Sequence, residues 1–180
     1  MSQYTRKMTE RLKQAEIRYN KHRQRNVLAE HGVHDFVVIL DNLKSGYNVP
    51  KIFRSAQAFG AHSVHLVNIG PFDPAPAKGA FKYVPARFYD NFEECYQALK
   101  QQGYEFFILE PSDGIDLHKS KLPKKSAFIF GNEGLGISFE AQDYPDLRRL
   151  KIQQHGNIDS LNVSIAASVV MYQYCTEYDC

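Results

Sequence analysis

The stretch Phe130-Gly-Asn-Glu-Gly-Leu-Gly-Ile137 sets three glycines and one carboxylate directly behind the apolar run Ser126-Ala-Phe-Ile129. Glycines at this density let backbone amides close on a ligand, as in nucleotide loops. The order, however, is G-x-x-G-x-G instead of G-x-G-x-x-G. The loop follows a late strand, and no Lys-Ser/Thr pair completes a phosphate cradle. Charge is the stronger objection, because a carboxylate at Glu133 among those amides would repel a pyrophosphate by roughly several kcal/mol at low effective dielectric. Two readings stand on the residues alone: a loop for a ligand that is uncharged or cationic near Glu133, or a tight turn in which Glu133 caps nearby amides.

Two further polar loops flank apolar runs, over 41–48 and 153–159. In an open α/β sheet, ligands sit outside the carboxyl ends of strands, which is where these loops fall. The third leads through Gly156 into Ser160-Leu-Asn-Val-Ser164, followed by the small residues Ala166, Ala167 and Ser168. Small side chains let another helix or a backbone approach closely. Ser160 and Asn162 stand at the mouth of that helix, either as an ordinary cap or beside free amides that suit polar or anionic ligands. His155 is a proton acceptor available near neutral pH, or an incidental loop residue. His62 and His65 face opposite sides of a strand and make poor joint metal ligands.

The elements that must hold these loops follow from periodicity. Phe36 to Leu40 is a continuous apolar run, as expected for a parallel strand buried on both faces. A helix over Val49 to Phe59 opens with Pro50 and stops at Gly60. Strands are predicted at Ser63 to Val67, Ala86 to Tyr89, Tyr104 to Leu109, Ala127 to Phe130 and Arg148 to Ile152. Asn91, with Glu94 three residues on, caps a helix that ends at Gly103, and Ser160 to Tyr174 is the last helix. Pro71 to Lys78 reads as an exposed loop, and Pro111 to Lys125 as another. The fold class is α/β, a mostly parallel sheet of five or six strands flanked by helices.

Of the 180 residues, 43% are hydrophobic and 23% charged, which excludes disordered and fibrous classes. The N-terminus lacks the apolar core of a signal peptide and no run is long enough to span a membrane, so a cytoplasmic protein is expected. Cys95, Cys175 and Cys180 are odd in number and show no metal-site spacing, so reduced thiols and no metal are expected. Residues Met1 to Arg25 carry eight Lys and Arg against Glu10 and Glu16, a local charge of +6 in a chain of net charge +2, leaving about −4 elsewhere. Tyr4, Met8, Leu12, Ala15 and Tyr19 recur at helical spacing, so this basic arm is an amphipathic helix whose stripe packs on the body or on a second subunit. Its charge suits an anionic partner such as RNA, or is a solvated helix face.

Three motifs in order, Asn48-x5-Arg54-x-Ala56-x-Ala58-Phe59-Gly60, Phe130 to Ile137, and Ile152 to Ala166 with its Ser160-Leu-Asn-Val-Ser164, resemble those of the SpoU/TrmH branch of the SPOUT RNA methyltransferases. The resemblance covers most of the chain. It implies an S-adenosylmethionine-dependent enzyme that methylates ribose 2′-hydroxyls of tRNA or rRNA. It further implies a domain ending in a deep trefoil knot, and a homodimer packed through its first and last helices. A basic N-terminal helical extension over 1–35 would precede a methyltransferase domain over 36–180. The cofactor pocket would be formed around Leu109, Gly131, Gly136, Ile152 and Leu161. Arg54 would activate the ribose hydroxyl, with Asn48, Glu133, Ser160 and Asn162 orienting it, the substrate and the loops.

Physical chemistry narrows the role of Arg54. An arginine pKa of about 12.5 or higher leaves almost no neutral base at pH 7, so a guanidinium better grips a phosphate and stabilises a developing alkoxide. One departure is plain: the family commonly carries Pro and Met after the isoleucine of its third motif, whereas Gln153, Gln154 and His155 follow Ile152 here. A SPOUT base methyltransferase and a non-catalytic RNA-binding module are the alternatives.

Overall fold

A strand covered on both faces needs apolar residues at nearly every position, and three strands meet that demand. In the computed structural model, which describes residues 3–178 apart from 45 and 112, with side chains from Lys7 onward, every residue of β1 (Val37–Asp41), β2 (Ser63–Val67) and the later strand Ser126–Phe130 is buried. The chain runs α1 (Gln3–Asn26), β1, α2 (Asn48–Ala58), β2, β3 (Ala86–Tyr89), α3 (Phe92–Lys100), β4 (Glu105–Leu109), β5 (Ile115–Asp116), β6 (Ser126–Phe130), β7 (Arg148–Lys151) and α4 (Val163–Tyr178). The strands form one sheet in the order β3-β2-β1-β6-β4-β7-β5, with every pairing parallel. All strands therefore end at the same edge, where the polar loops gather.

Alternation divides the core. Val38, Leu40, Phe107, Phe128 and Phe130 face a layer that includes Ile52 and Phe53 of α2 and Ala167, Met171 and Tyr174 of α4. Val37, Ile39, Phe106, Ile108 and Ile129 face α3 through Phe92, Cys95 and Leu99. The period of two assigns adjacent residues to opposite layers, so a one-residue slip would exchange both cores. Asn91 caps α3 as expected, its Oδ1 accepting from the Glu94 amide at 3.0 Å.

The structure corrects several sequence expectations. The sheet has seven strands, because two-residue β5 pairs with β7 inside the segment read as loop. Such a short edge strand leaves no periodic signal. The last helix begins at Val163, not Ser160: Asn162 Oδ1 accepts from the Ser164 amide at 3.0 Å and serves as the cap. The Pro-rich segment 71–78 is docked, not exposed. Phe72 is buried, edge-on to Tyr19 at 5.3 Å and 4.9 Å from Phe81, and Asp73 accepts two hydrogen bonds from the Arg18 guanidinium, at 2.9 and 3.2 Å.

These contacts also join α1 to the body from Arg18 onward. Asn26 donates to the Phe81 and Val84 carbonyls and accepts from the Ala86 amide. Farther out, Met8 and Leu12 are 55% and 65% exposed, so the outer part of the apolar stripe does not pack on its own chain. The side chain of Tyr4 lies outside the described residues, as does Cys180. Cys95 and Cys175 are buried free thiols. Among the described residues, no helix is long and apolar enough to cross a membrane.

Candidate functional site

The glycine loop after β6 is closed by its own backbone. Asn132 and Gly136 exchange amide-to-carbonyl hydrogen bonds of 2.7 and 2.8 Å, and Gly136 takes a positive φ of 73°. At Gly131 an added Cβ would stand 2.7 Å from the Gly136 carbonyl carbon and oxygen, so the tight closure requires glycine there. Asn132, absent from the residues singled out by sequence, organises the turn. Its buried side chain accepts from the Gly134 and Leu135 amides at 2.9 and 3.1 Å and donates to the Asn42 carbonyl at 2.8 Å. An asparagine that folds back on amides two and three residues ahead is ordinary turn chemistry, and that was the signal in the sequence.

A second clamp lies beside it. Asp41, fully buried at the end of β1, accepts from the Ser138 amide at 2.5 Å and from the Ser138 hydroxyl at 2.7 Å. Burial pushes the Asp41 carboxyl above the usual carboxylate range, and the two bonds from Ser138 oppose that shift. Farther along the same segment, Phe139 stacks on Phe92 of α3 with ring centroids 3.6 Å apart.

The predicted residues converge in part. Asn162 Nδ2 donates to Asn48 Oδ1 at 3.3 Å, and Asn48 Nδ2 in turn donates to Glu133 Oε1. Side chains from the first residue of α2 and from the loops after β6 and β7 thus form one directed chain that ends on a carboxylate. Ser160 and Glu133 line an adjoining cleft of about 740 Å³, as do all five expected cofactor residues, Leu109, Gly131, Gly136, Ile152 and Leu161. Arg54 is not brought to it. The side chain is exposed on α2, six residues or about 9 Å of helix from Asn48, and meets no hydrogen-bond or ion-pair partner among the described residues. Its neighbour Ser55 hydrogen-bonds Ser168 at 2.8 Å, which puts Arg54 beside the packing seam of α2 and α4. His155 is exposed and does not line the cleft.

The charge of the cleft is one-sided. Glu110, Glu133, Glu140 and Asp159 line it, and among the described residues no Lys, Arg or His does. Glu133 was singled out as a site residue and Asp159 lies in the polar loop 153–159, whereas Glu110 and Glu140 belong to segments that only the fold brings in. A phosphate-bearing ligand would meet this wall at a cost, while a cation would gain from it. Ile108, Leu109, Phe130, Ile152 and Val163 supply an apolar floor suited to a flat ring, and the volume falls within the usual range for small-molecule sites.

Comparison with known proteins gives a concordant result. The family model described as the SpoU rRNA methylase family matches residues 35–172. The tRNA (guanosine(18)-2′-O)-methyltransferase of Thermus thermophilus is 31% identical over 145 residues, which cover 77% of this chain and 73% of that protein. A crystal structure of the TrmH/SpoU tRNA modifying enzyme of A. aeolicus superposes with a TM-score of 0.72 at 23% identity, covering 92% of this chain and 84% of that one. The AdoMet-bound rRNA methyltransferase of Sinorhizobium meliloti gives a TM-score of 0.71 at 22% identity, covering 86% of this chain and 60% of that one. At these identities the two structures establish the shared fold.

The loop closure makes a prediction about stability. Gly131→Ala should lower the urea-unfolding free energy by about 1–3 kcal/mol, because the 136–137 backbone must move. Gly70→Ala, where an added Cβ meets nothing within 4 Å, should change it by less than about 1 kcal/mol. Equal effects at the two positions would show that the closure is not tight.

Proposed function

The chain belongs to the SpoU rRNA methylase family, and we propose that it transfers the methyl group of S-adenosylmethionine to a ribose 2′-hydroxyl of tRNA or rRNA. The observation that carries this reading is the carboxylate-lined cleft joined to the Asn162-Asn48-Glu133 chain. Those residues fit the cofactor. A sulfonium nucleoside without phosphates carries one carboxylate against a sulfonium and an ammonium, so its net positive charge is attracted by the four carboxylates where a polyphosphate would be repelled. Backbone groups around Leu109, Gly131, Gly136, Ile152 and Leu161 would hold it. When bound, S-adenosylmethionine supplies an electrophilic methyl carbon, and the protein's share is positioning and electrostatics.

Each polar residue then has a task. Asn48 spans Asn162 and Glu133, so it fixes the first and third motif loops against the glycine loop. Glu133, fixed in this way, contributes its charge at the cleft instead of pairing with Arg54. Ser160 offers a hydroxyl at the rim, where the ribose would arrive. The acceptor hydroxyl must lose its proton, to solvent water at the exposed rim, by the transition state, and Arg54 supports this by gripping the neighbouring phosphate and stabilising the developing alkoxide. An exposed guanidinium suits that task, since it meets the substrate without first breaking an internal ion pair.

We also propose a homodimer, supported by the outer face of the last helix. α4 buries one side in the core, yet Ile165 and Tyr172 remain 54% and 61% exposed on the other, with Tyr172 edge-on to Phe59. A second copy covering this face would also bring Arg54 into the interface region. We further propose the C-terminal trefoil knot, supported by the return of the chain after edge strand β5 to insert β6 and then β7 into the interior of the sheet. The RNA grip is assigned to the 1–35 extension, whose Lys7, Arg11, Lys13, Lys21 and Arg25 are exposed, preceding a methyltransferase domain over 36–180. The same reading puts the protein in the cytoplasm with its substrate.

Arg54→Ala should reduce methyl transfer at least a hundredfold, roughly the scale of losing one electrostatic stabiliser, while calorimetric affinity for S-adenosylmethionine stays within about twofold. A large loss of cofactor affinity would contradict the role given. Removal of residues 1–16, which spares the Arg18 and Tyr19 contacts, should weaken RNA binding. It should also flatten the salt dependence by roughly 0.7–0.9 in log-log slope for each phosphate that the arm no longer neutralises. An unchanged slope would show that the arm does not touch phosphate.

A further inference from the structure

A second cavity, of about 580 Å³, shares no lining residue with the acidic cleft. Arg25, Leu28, Glu30, Gln57, Lys82 and Tyr83 line it, from the end of α1 and the turn after it, from α2, and from the segment that leads into β3. Buried Asn26, next to Arg25, fixes the relation of these parts. Its Nδ2 donates to the Phe81 and Val84 carbonyls at 2.6 and 2.7 Å, on either side of Lys82 and Tyr83. The groove is therefore shaped by the fold before any ligand arrives.

Its charge is the reverse of the cleft's. Arg25 and Lys82 stand against a single carboxylate, Glu30, and neither cation has an ion-pair partner among the described residues. Burial, and after it the charges of Lys82, Arg25, Lys21 and Arg18, hold the nearby His22 imidazole below its usual pKa, so cations gather on this side of α1. Tyr83 is 58% exposed and stacks on no aromatic ring among the described residues; the Lys82 ammonium lies 5.1 Å from its ring centroid. An open aromatic ring beside unpaired cations is the combination that holds single-stranded nucleic acid, base on ring and phosphate on cation.

The groove also adjoins the reaction side of the molecule. Gln57 follows Arg54 by three residues on α2 and both are exposed, so they are neighbours on one helix face, with roughly 5–6 Å between their Cβ atoms. We propose that the groove binds an unpaired nucleotide flanking the methylation target, its base stacked on Tyr83 and its phosphate held by Arg25 and Lys82. A duplex would keep its bases from the ring, so the RNA here is a loop or a single-stranded end. The inference rests on the reading of the protein as an RNA methyltransferase.

Fluorescence anisotropy on the full chain tests it with two labelled strands, decauridylate and a stabilised abasic decamer of equal charge. The wild type should bind decauridylate more tightly. Tyr83→Ala should weaken decauridylate by about 5- to 150-fold, while leaving the abasic strand and the salt dependence unchanged, and Tyr83→Phe should bind as the wild type does. Lys82→Ala should weaken both strands and lower the log-log salt slope by about 0.7. Irradiation of the wild type with decauridylate carrying 4-thiouridine should crosslink peptides that hold residues 25–30 or 79–84. Equal wild-type affinity for the two strands, or crosslinks confined to other peptides, overturns the proposal even if a variant fails to fold. A change of oligomeric state in Tyr83→Ala, read by sedimentation, also overturns it by making the groove a contact between copies. A wild type that binds bulk tRNA or rRNA but not decauridylate, or whose decauridylate affinity ignores Tyr83→Ala, sinks this inference alone. One that binds none of these RNAs sinks the RNA reading with it.

Discussion

The hydrogen bonds from Asn162 to Asn48 and from Asn48 to Glu133 join three loops that are far apart in sequence, and the geometry of the site depends on them. Every donor in the chain points toward the carboxylate. Glu133 therefore keeps a fixed position without needing a cationic partner, and its charge remains available to the cleft. Were the glutamate neutralised by an internal arginine, the wall would lose the feature that separates a sulfonium nucleoside from a phosphorylated one.

The sheet makes this chain possible. Seven parallel strands deliver their C-terminal loops to one edge, and the central strands that carry the site's loops are fully buried. Beneath the site, Asp41 fastens Ser138 to the end of β1, Asn132 ties the glycine loop to Asn42, and Phe139 is stacked against α3. Three distinct physical devices, a buried carboxylate, an amide-folding asparagine and an aromatic stack, thus hold one segment. Preorganisation of this kind is what methyl transfer requires of a protein, because the chemistry itself resides in the cofactor.

Much of this was legible in the residue order. β2 and β3 fall where alternation predicted them, and α2 starts within a residue of the expected position because Pro50 sets its first turn. The three polar loops were likewise readable, since glycines and caps carry local conformational meaning, whereas the expected cofactor positions came from the family resemblance and not from local chemistry. What escaped was tertiary. β5 has two residues and no periodicity. A lone Phe72 among prolines shows nothing of the aromatic pocket that Tyr19, Phe53 and Phe81 build around it. The separation of Arg54 from the other polar residues depends on helix phase relative to distant loops.

The most direct test of the central claim is a map of ribose methylation across total RNA from cells with and without this protein. The account predicts at least one tRNA or rRNA 2′-O-methyl mark that vanishes when the protein is removed and returns with the wild-type chain but not with Arg54→Ala. A vanished mark found on a base, or no change in any RNA, would contradict it.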